Sequence, residues 1–396
     1  MNRTAACFAA FAALLLYLTP NTSLAQEKAK KDSSFVFDTI YLERVQVVGR
    51  PAWQTTIPGA ATYISTEELR KQSYDDINRV LRSVSGINIQ EEDGFGLRPN
   101  IGIRGAGVER STKVNLMEDG VLISPAPYSA PAAYYFPMVG RMSAVEVRKG
   151  SSQIKYGPNS TGGAINLVST PIPFEVSANG EVSLGENNAN KFHGNVGATF
   201  GNFGFLIEGM NISDDGFKRL DNGGDTGFEI TDLMAKLMVR TKDNASVYQR
   251  LEFKAGYYDE VSDETYLGLT RSDFDQSPFR RYAGSQVDQM TADHTQFMLR
   301  HFALFSERFN ITTTAYRNDF SRNWYKLESV NSTDISTILR TPEQFTAEMD
   351  FLRGTNSPDD ALTVRANNRT YFSTGIETIL SFNNDWGRFT NDLEFG

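Results

Sequence analysis

Three stretches in the second half of the chain fix its fold class, because each alternates with strict period two. In LMAKLMVR, residues 233–240, Leu233, Ala235, Leu237 and Val239 fall on one side, and Met234, Lys236, Met238 and Arg240 on the other. Residues 250–257 set Leu251, Phe253, Ala255 and Tyr257 against Arg250, Glu252 and Lys254. In 371–382, Phe372, Ile376, Leu380 and Phe382 oppose Ser373, Gly375, Glu377 and Ser381. Successive side chains of a strand point to opposite faces, so these are strands with one apolar and one polar face. The connections alternate as well. Short turns fall near Gly201-Asn202, Asp243-Asn244, Glu307-Arg308 and Asp385 to Gly387, and longer polar loops near 214–228, 259–287 and 329–369. Short turns at one end and long loops at the other predict a β-barrel of the outer-membrane kind. A soluble β-sandwich has no reason to sort its loops by length.

The N-terminus supports export. Arg3, an apolar run over residues 5–18 and the small-x-small Ser23-Leu24-Ala25 predict a secretory signal peptide over 1–25, too short in its apolar part to span a membrane. The single cysteine, Cys7, lies inside that segment, so the mature chain is expected to have no disulfide and no cysteine chemistry. Beyond it no apolar run approaches a transmembrane helix, and mean hydropathy is −0.37. That leaves a soluble protein or a barrel, and 12% aromatics favour the barrel. A net charge of −9 argues against nucleic acid as partner. His193, His294 and His301 show no metal-ligand spacing and read as wall residues, so neither a metal site nor an enzymatic activity is expected.

The intervening region has a different texture. Residues 26–37 read as a flexible arm, and DTIYLERVQVVGR holds two β-prone pieces. Ser65 and Glu68 make a capping box that predicts a helix over STEELRKQ. Asp75 or Asp76 opens a second helix, with Ile77, Val80, Leu81 and Val84 on one face and Gly86 as its stop. From 87 to 170 short strands and turns follow, including a hairpin at Asp119-Gly120, until Pro171 and Pro173 mark a boundary. Within it, GFGLRPNIGIRGAG (94–107) places five glycines around an apolar, charged strand. A dinucleotide site would need a helix next, but VERSTKVNLMEDGVLI alternates and turns instead.

Taken in order, RPNIGIRG, NLMEDG, APYSAPAAYYFP and VEVRKGSSQIKYGPNSTGGAIN resemble the plug of TonB-dependent outer-membrane receptors, in particular the ferric-citrate receptor branch. The resemblance continues through DETYLGLT (263–270), FRRYAGSQVDQM (279–290) and NWYKL (323–327). It implies an α+β plug domain over 43–173, followed over 174–396 by an incomplete antiparallel transmembrane β-barrel, about nine of the family's roughly 22 strands. Nine strands cannot enclose a plug roughly 35 Å across, so the chain is expected to be a fragment of a longer receptor, or a truncated product that would not transport. The implied place is the outer membrane, in contact with its lipid. The implied partner is TonB, adding as a strand to a TonB box at Asp38, Thr39, Ile40, Tyr41 and Leu42. The implied cargo is an iron chelate, ferric citrate or a siderophore, with iron as cargo and no cofactor. A glycan importer of related architecture and a passive porin or adhesin are the alternatives, and the last would lack the plug motifs.

Site residues follow motif by motif. Arg104, between Gly102 and Gly105, is expected to lock the plug by pairing with wall carboxylates. Ligand contacts are expected from Glu109, Arg110 and Ser111 after IRG, from Tyr128 and Ser129 of APYSAP, and from Arg271, Arg280 and Arg281 in a long barrel loop. Ala130 stands where the ferric-citrate receptor has a glutamine, and Glu91, Glu92 and Asp93 crowd an earlier apex. Those three charges predict a ligand less anionic than ferric citrate.

Overall fold

Ser65 opens the plug's first helix by accepting from the Glu68 backbone N–H while the Glu68 carboxylate accepts from Ser65, so the Thr66–Gln72 helix starts where the capping box predicts. Asp76 caps the second helix, Ile77–Leu81, through the Asn78 N–H at 2.7 Å. Its apolar face is buried, with Ile77 1% and Val80 and Leu81 0% exposed, and Gly86 turns the chain away at φ 77°. This computed structural model describes residues 59–396 apart from 151–154, 159–160, 264–265 and 387–388. The predicted signal peptide, arm and TonB box, including Asp38–Leu42, lie outside the described residues. All the described residues fall in one compact unit.

The plug strands are β1 (Ala60–Ile64), β2 (Ile87–Ile89), β3 (Ile101–Ile103), β4 (Val114–Glu118), β5 (Val121–Leu122), β6 (Met142–Lys149) and β7 (Gly163–Ser169). Five of them form a sheet in the order β1-β6-β7-β4-β5, with β4 and β7 parallel, and β2 pairs separately with β3. The predicted hairpin joins β4 to β5, with Asp119 at φ 51° and Gly120 at φ 83°. The glycines of 94–107 answer to close approach as much as to turning. A Cβ on Gly102 would collide with the Ala106 carbonyl oxygen and stand 2.9 Å from Val108 Cγ1.

The second sheet runs β8 (Ser177–Leu184), β9 (Asn190–Phe200), β10 (Phe203–Asp214), β12 (Phe228–Arg240), β13 (Tyr248–Ser262), β15 (Gln289–Ser306), β16 (Phe309–Val330), β18 (Leu362–Trp386) and β19 (Phe389–Phe395), each antiparallel to the next. Between them, β11 (Arg219–Leu220) pairs with β14 (Arg280–Arg281), and β17 (Thr333–Asp334) with β16. This is the expected nine-strand wall, and it does not close into a barrel. Its outer face carries Leu233, Leu237, Phe253, Phe297, Leu299, Phe372 and Ile376, each more than a third exposed. Its inner face buries Lys236, Lys254, Glu260, Gln296, Arg300 and Asn318 against the plug. Apolar outside and polar inside is the arrangement lipid demands of a barrel.

Crossing a bilayer takes about 9–11 residues of strand, whereas β15, β16 and β18 have 18, 22 and 25. Phe228, Ser262, Met290 and Trp324 lie in one register line, and β16 continues past it to Val330. The long connections are not the polar loops the sequence predicts. Residues of 263–288 and 331–361 form short helices at Arg271–Gln276, Ile335–Arg340 and Thr346–Leu352. Leu267, Tyr282, Leu327, Ile338, Met349 and Leu352 pack there into a separate core. Ile335, Ile338 and Leu339, and Phe345, Met349 and Leu352, do fall at helical spacing, but each run is only about two turns long and lies between polar residues.

Candidate functional site

The plug is held to the wall by buried charge. Arg141 places Nε 2.7 Å from Asp232 on β12 and Nη1 2.8 Å from Glu118 on β4. Lys254 of β13 reaches from the wall to Glu118 at 2.5 Å and Asp119 at 2.7 Å. Arg98 donates to Glu260 at 2.5 Å and to Ser262 at 2.8 Å, and Lys191 of β9 meets Asp75 at 2.9 Å. Burial alone would raise the Glu118 carboxyl, but Arg141 and Lys254 outweigh it and hold it at about 2. Asp119, equally buried, is held well below its usual range by Lys254, Lys236 and Arg300.

Arg104 is not among these residues. β3 ends at Ile103, and Arg104 enters the turn at φ 54° with an exposed side chain, near Lys149 and Gly150 rather than the wall. Among the described residues no wall carboxylate pairs with it. The arginine that does so in this motif is Arg98, whose partner Glu260 stands 162 residues away in sequence.

At the long-loop end, plug and wall line an open pocket of about 730 Å³. Its plug side is the Glu109–Ser111 turn, where Arg110 and Ser111 take left-handed φ of 46° and 55°. That strained pair is pinned on three sides. Asn100 Oδ1 accepts from the Arg110 N–H at 2.8 Å, the Ser111 hydroxyl donates to the Pro99 carbonyl at 2.8 Å, and Ala133 N–H donates to the Arg110 carbonyl at 2.8 Å. The Arg110 guanidinium is clamped by Glu92 at 2.6 and 2.8 Å. Rings surround it. Tyr134 and Trp324 lie 5.4 and 5.8 Å from Arg110 Cζ, Tyr266 meets Trp324 edge-on at 5.1 Å, and Lys326 Nζ sits 5.4 and 5.3 Å from Tyr266 and Trp324. Arg322 stacks on Tyr134 at 3.6 Å.

The predicted ligand residues divide. Glu109, Arg110 and Arg281 line the cavity. Ser111 is fully buried and braces the turn instead. Tyr128 and Ser129 are exposed elsewhere: the Tyr128 hydroxyl bonds to Tyr316, eight residues down β16 from Trp324, about 26 Å at strand rise. Arg271 pairs with Asp275 one turn along its own helix. Arg280 ties Asp221 to Asp273 within the loops. The acidic apex is also not as the sequence suggests. Glu91 pairs with Arg82, Glu92 with Arg110, and Asp93 accepts backbone N–H groups from Phe95, Gly96 and Arg98. Its charges are largely spent within the plug.

Tyr134, Lys218, Tyr266, Trp324 and Lys326 also line the pocket and were not named as ligand residues from the sequence, although all but Lys218 fall within the motifs that carry the resemblance. A signal was present, because Arg322, Trp324 and Lys326 share one parity of β16 with Phe320, so a cationic-aromatic cluster on a single face was legible. His193, His294 and His301 all stand in wall strands, and no group of three metal-ligating side chains occurs among the described residues.

A plug sheet inside a wall that is polar inward and apolar outward, with a pocket shared between them at the long-loop end, defines a plugged outer-membrane receptor fold. Residues 53–164 match the TonB-dependent Receptor Plug Domain, so the chain carries that domain, and it has the fold of a TonB-dependent receptor. The chain is 30% identical over 192 residues to the vitamin B12 transporter BtuB of Vibrio vulnificus (strain CMCP6), a match covering 47% of this chain and 30% of the relative. It superposes on unliganded ferric citrate transporter FecA with TM-score 0.67 at 21% identity, covering 87% of this chain and 47% of that one. The siderophore receptor PirA from Acinetobacter baumannii aligns with TM-score 0.57 at 16% identity, over 84% and 46%. The chain thus spans under half the length of these relatives.

Proposed function

We propose that this chain is the plug and leading barrel portion of an outer-membrane importer that takes a metal chelate, in the first instance an iron chelate, into the periplasm. The observation that carries the reading is the shared pocket. Its ligand would touch Arg110 of the plug and Trp324 of the wall together, so occupancy is felt by the element that must move. Related proteins are named for vitamin B12, ferric citrate and siderophores, and about 730 Å³ suits one small ferric chelate.

The outer membrane holds no ion gradient, so work must come from a partner. TonB is proposed to add a strand at Asp38–Leu42 and to pull, and the pull must break Arg98–Glu260 and Arg141–Asp232 before the plug can rearrange. The test is uptake of radiolabelled ferric chelates by cells carrying the full-length receptor with Ile40→Pro, which removes one donor from the added strand. Uptake should fall while surface binding persists. Equal uptake by wild type and variant would place the partner's contact elsewhere, and transport of no metal complex at all would refute the reading.

A further inference from the structure

We infer that the chelate this pocket selects is an anionic one whose metal-binding oxygens are borne on aromatic rings, a catecholate- or phenolate-type complex rather than an aliphatic carboxylate or hydroxamate. This rests on the metal-chelate reading above and narrows it. The first observation is what the pocket lacks. Glu92 and Asp93 are committed within the plug, which leaves the exposed Glu109 as the one uncommitted carboxylate of the lining against Lys218, Arg281 and Lys326, and among the described residues Trp324 Nε1 and Arg281 Nε are buried with no acceptor. Burial pulls the Arg281 guanidinium below its usual pKa, as expected of a cation without a carboxylate beside it. Lys326 likewise has two rings beside it and forms no ion pair among the described residues. Unmatched donors call for a ligand rich in anionic oxygen.

The second observation is where the cations stand. Lys326 lies beside Tyr266 and Trp324, and Arg110, already clamped by Glu92, lies over Tyr134 and Trp324, so the cation left for a ligand is Lys326 and it borders ring surface. The rings meet edge-to-face at 89° and 68°, which leaves a corner rather than a closed stack. A flat arene carrying oxygens on its edge fits such a corner: its face packs on a ring and its oxygens meet the adjoining cation. An aliphatic polycarboxylate satisfies the cations and leaves the rings without a partner. A neutral hydroxamate complex leaves the cations unsatisfied.

The experiment uses the full-length receptor in detergent. Binding of three probes is measured: iron complexed with 2,3-dihydroxybenzoate, ferric citrate and a ferric trihydroxamate. The aryl complex should bind at least tenfold tighter than either other probe. Trp324→Leu and Tyr266→Leu should each weaken the aryl complex about tenfold, the scale of one lost ring contact, and change ferric citrate less than twofold. Circular dichroism and the melting temperature report whether each variant folds. Preference for ferric citrate or the hydroxamate, or equal losses for all probes, overturns the inference and leaves the chelate reading standing. Binding of no iron chelate overturns both.

Discussion

Replacing Arg141 by methionine should loosen the plug. Arg141 is 4% exposed and joins two carboxylates exposed by 0% and 2%. Without it Glu118 keeps Lys254 at 2.5 Å, but Asp232 keeps only a 3.5 Å contact from the Met138 N–H. An orphaned buried charge costs about 3–5 kcal/mol. Three kcal/mol multiplies the undocked population roughly 150-fold. In cells carrying the full-length receptor this should appear as entry of a large antibiotic such as vancomycin, and in detergent as faster proteolysis of the plug. The double variant Arg141→Met with Asp232→Leu removes the orphan and should recover most of the seal, since an apolar pair can replace a buried ion pair at little cost. Arg104→Ala, on an exposed turn, should change neither readout. A leak-tight Arg141→Met, or a double variant no better than the single one, would refute the assignment of the grip to this pair.

Acid should weaken the same grip. The folded Glu118 carboxyl is held at about 2, below its ordinary 4.5, so its contribution, of order 3 kcal/mol, is present above pH 4.5 and is lost as pH falls toward 2. Melting temperature should be flat from pH 7 to 5 and drop below, with a shallower drop in Glu118→Gln; parallel curves would contradict this. Gly102→Ala should cost about 1–3 kcal/mol in urea unfolding, because the added methyl meets the Ala106 backbone, and an unchanged midpoint would show that the turn yields. Arg281→Ala should weaken chelate binding and Arg271→Ala should not, because only Arg281 lines the pocket, and titration of both variants decides between them.

The period of the sequence settled the wall on its own. Leu233, Lys236, Phe253 and Lys254 take the sides their parity dictates, because a strand has only two faces and lipid accepts one of them. The Ser65 cap, the Asp76 cap and the Asp119-Gly120 hairpin were equally local, each a matter of a few adjacent residues and their own backbone groups. Pairing across the plug–wall boundary was not local. Arg98 and Arg104 lie in the same glycine-rich motif, yet only the tertiary structure shows that Arg98 faces Glu260 and that Arg104 leaves the strand at φ 54°. The pocket depends on the same kind of information: Arg110, Tyr266 and Trp324 come from the plug, the connection after β13 and β16, and meet only in the folded chain. Charge is decided there too, since Glu92 and Asp93 read as repulsive in sequence but are spent once folding supplies Arg110 and the backbone N–H groups of 95–98. Sequence fixes which face a residue can present, while only packing decides which partner meets it.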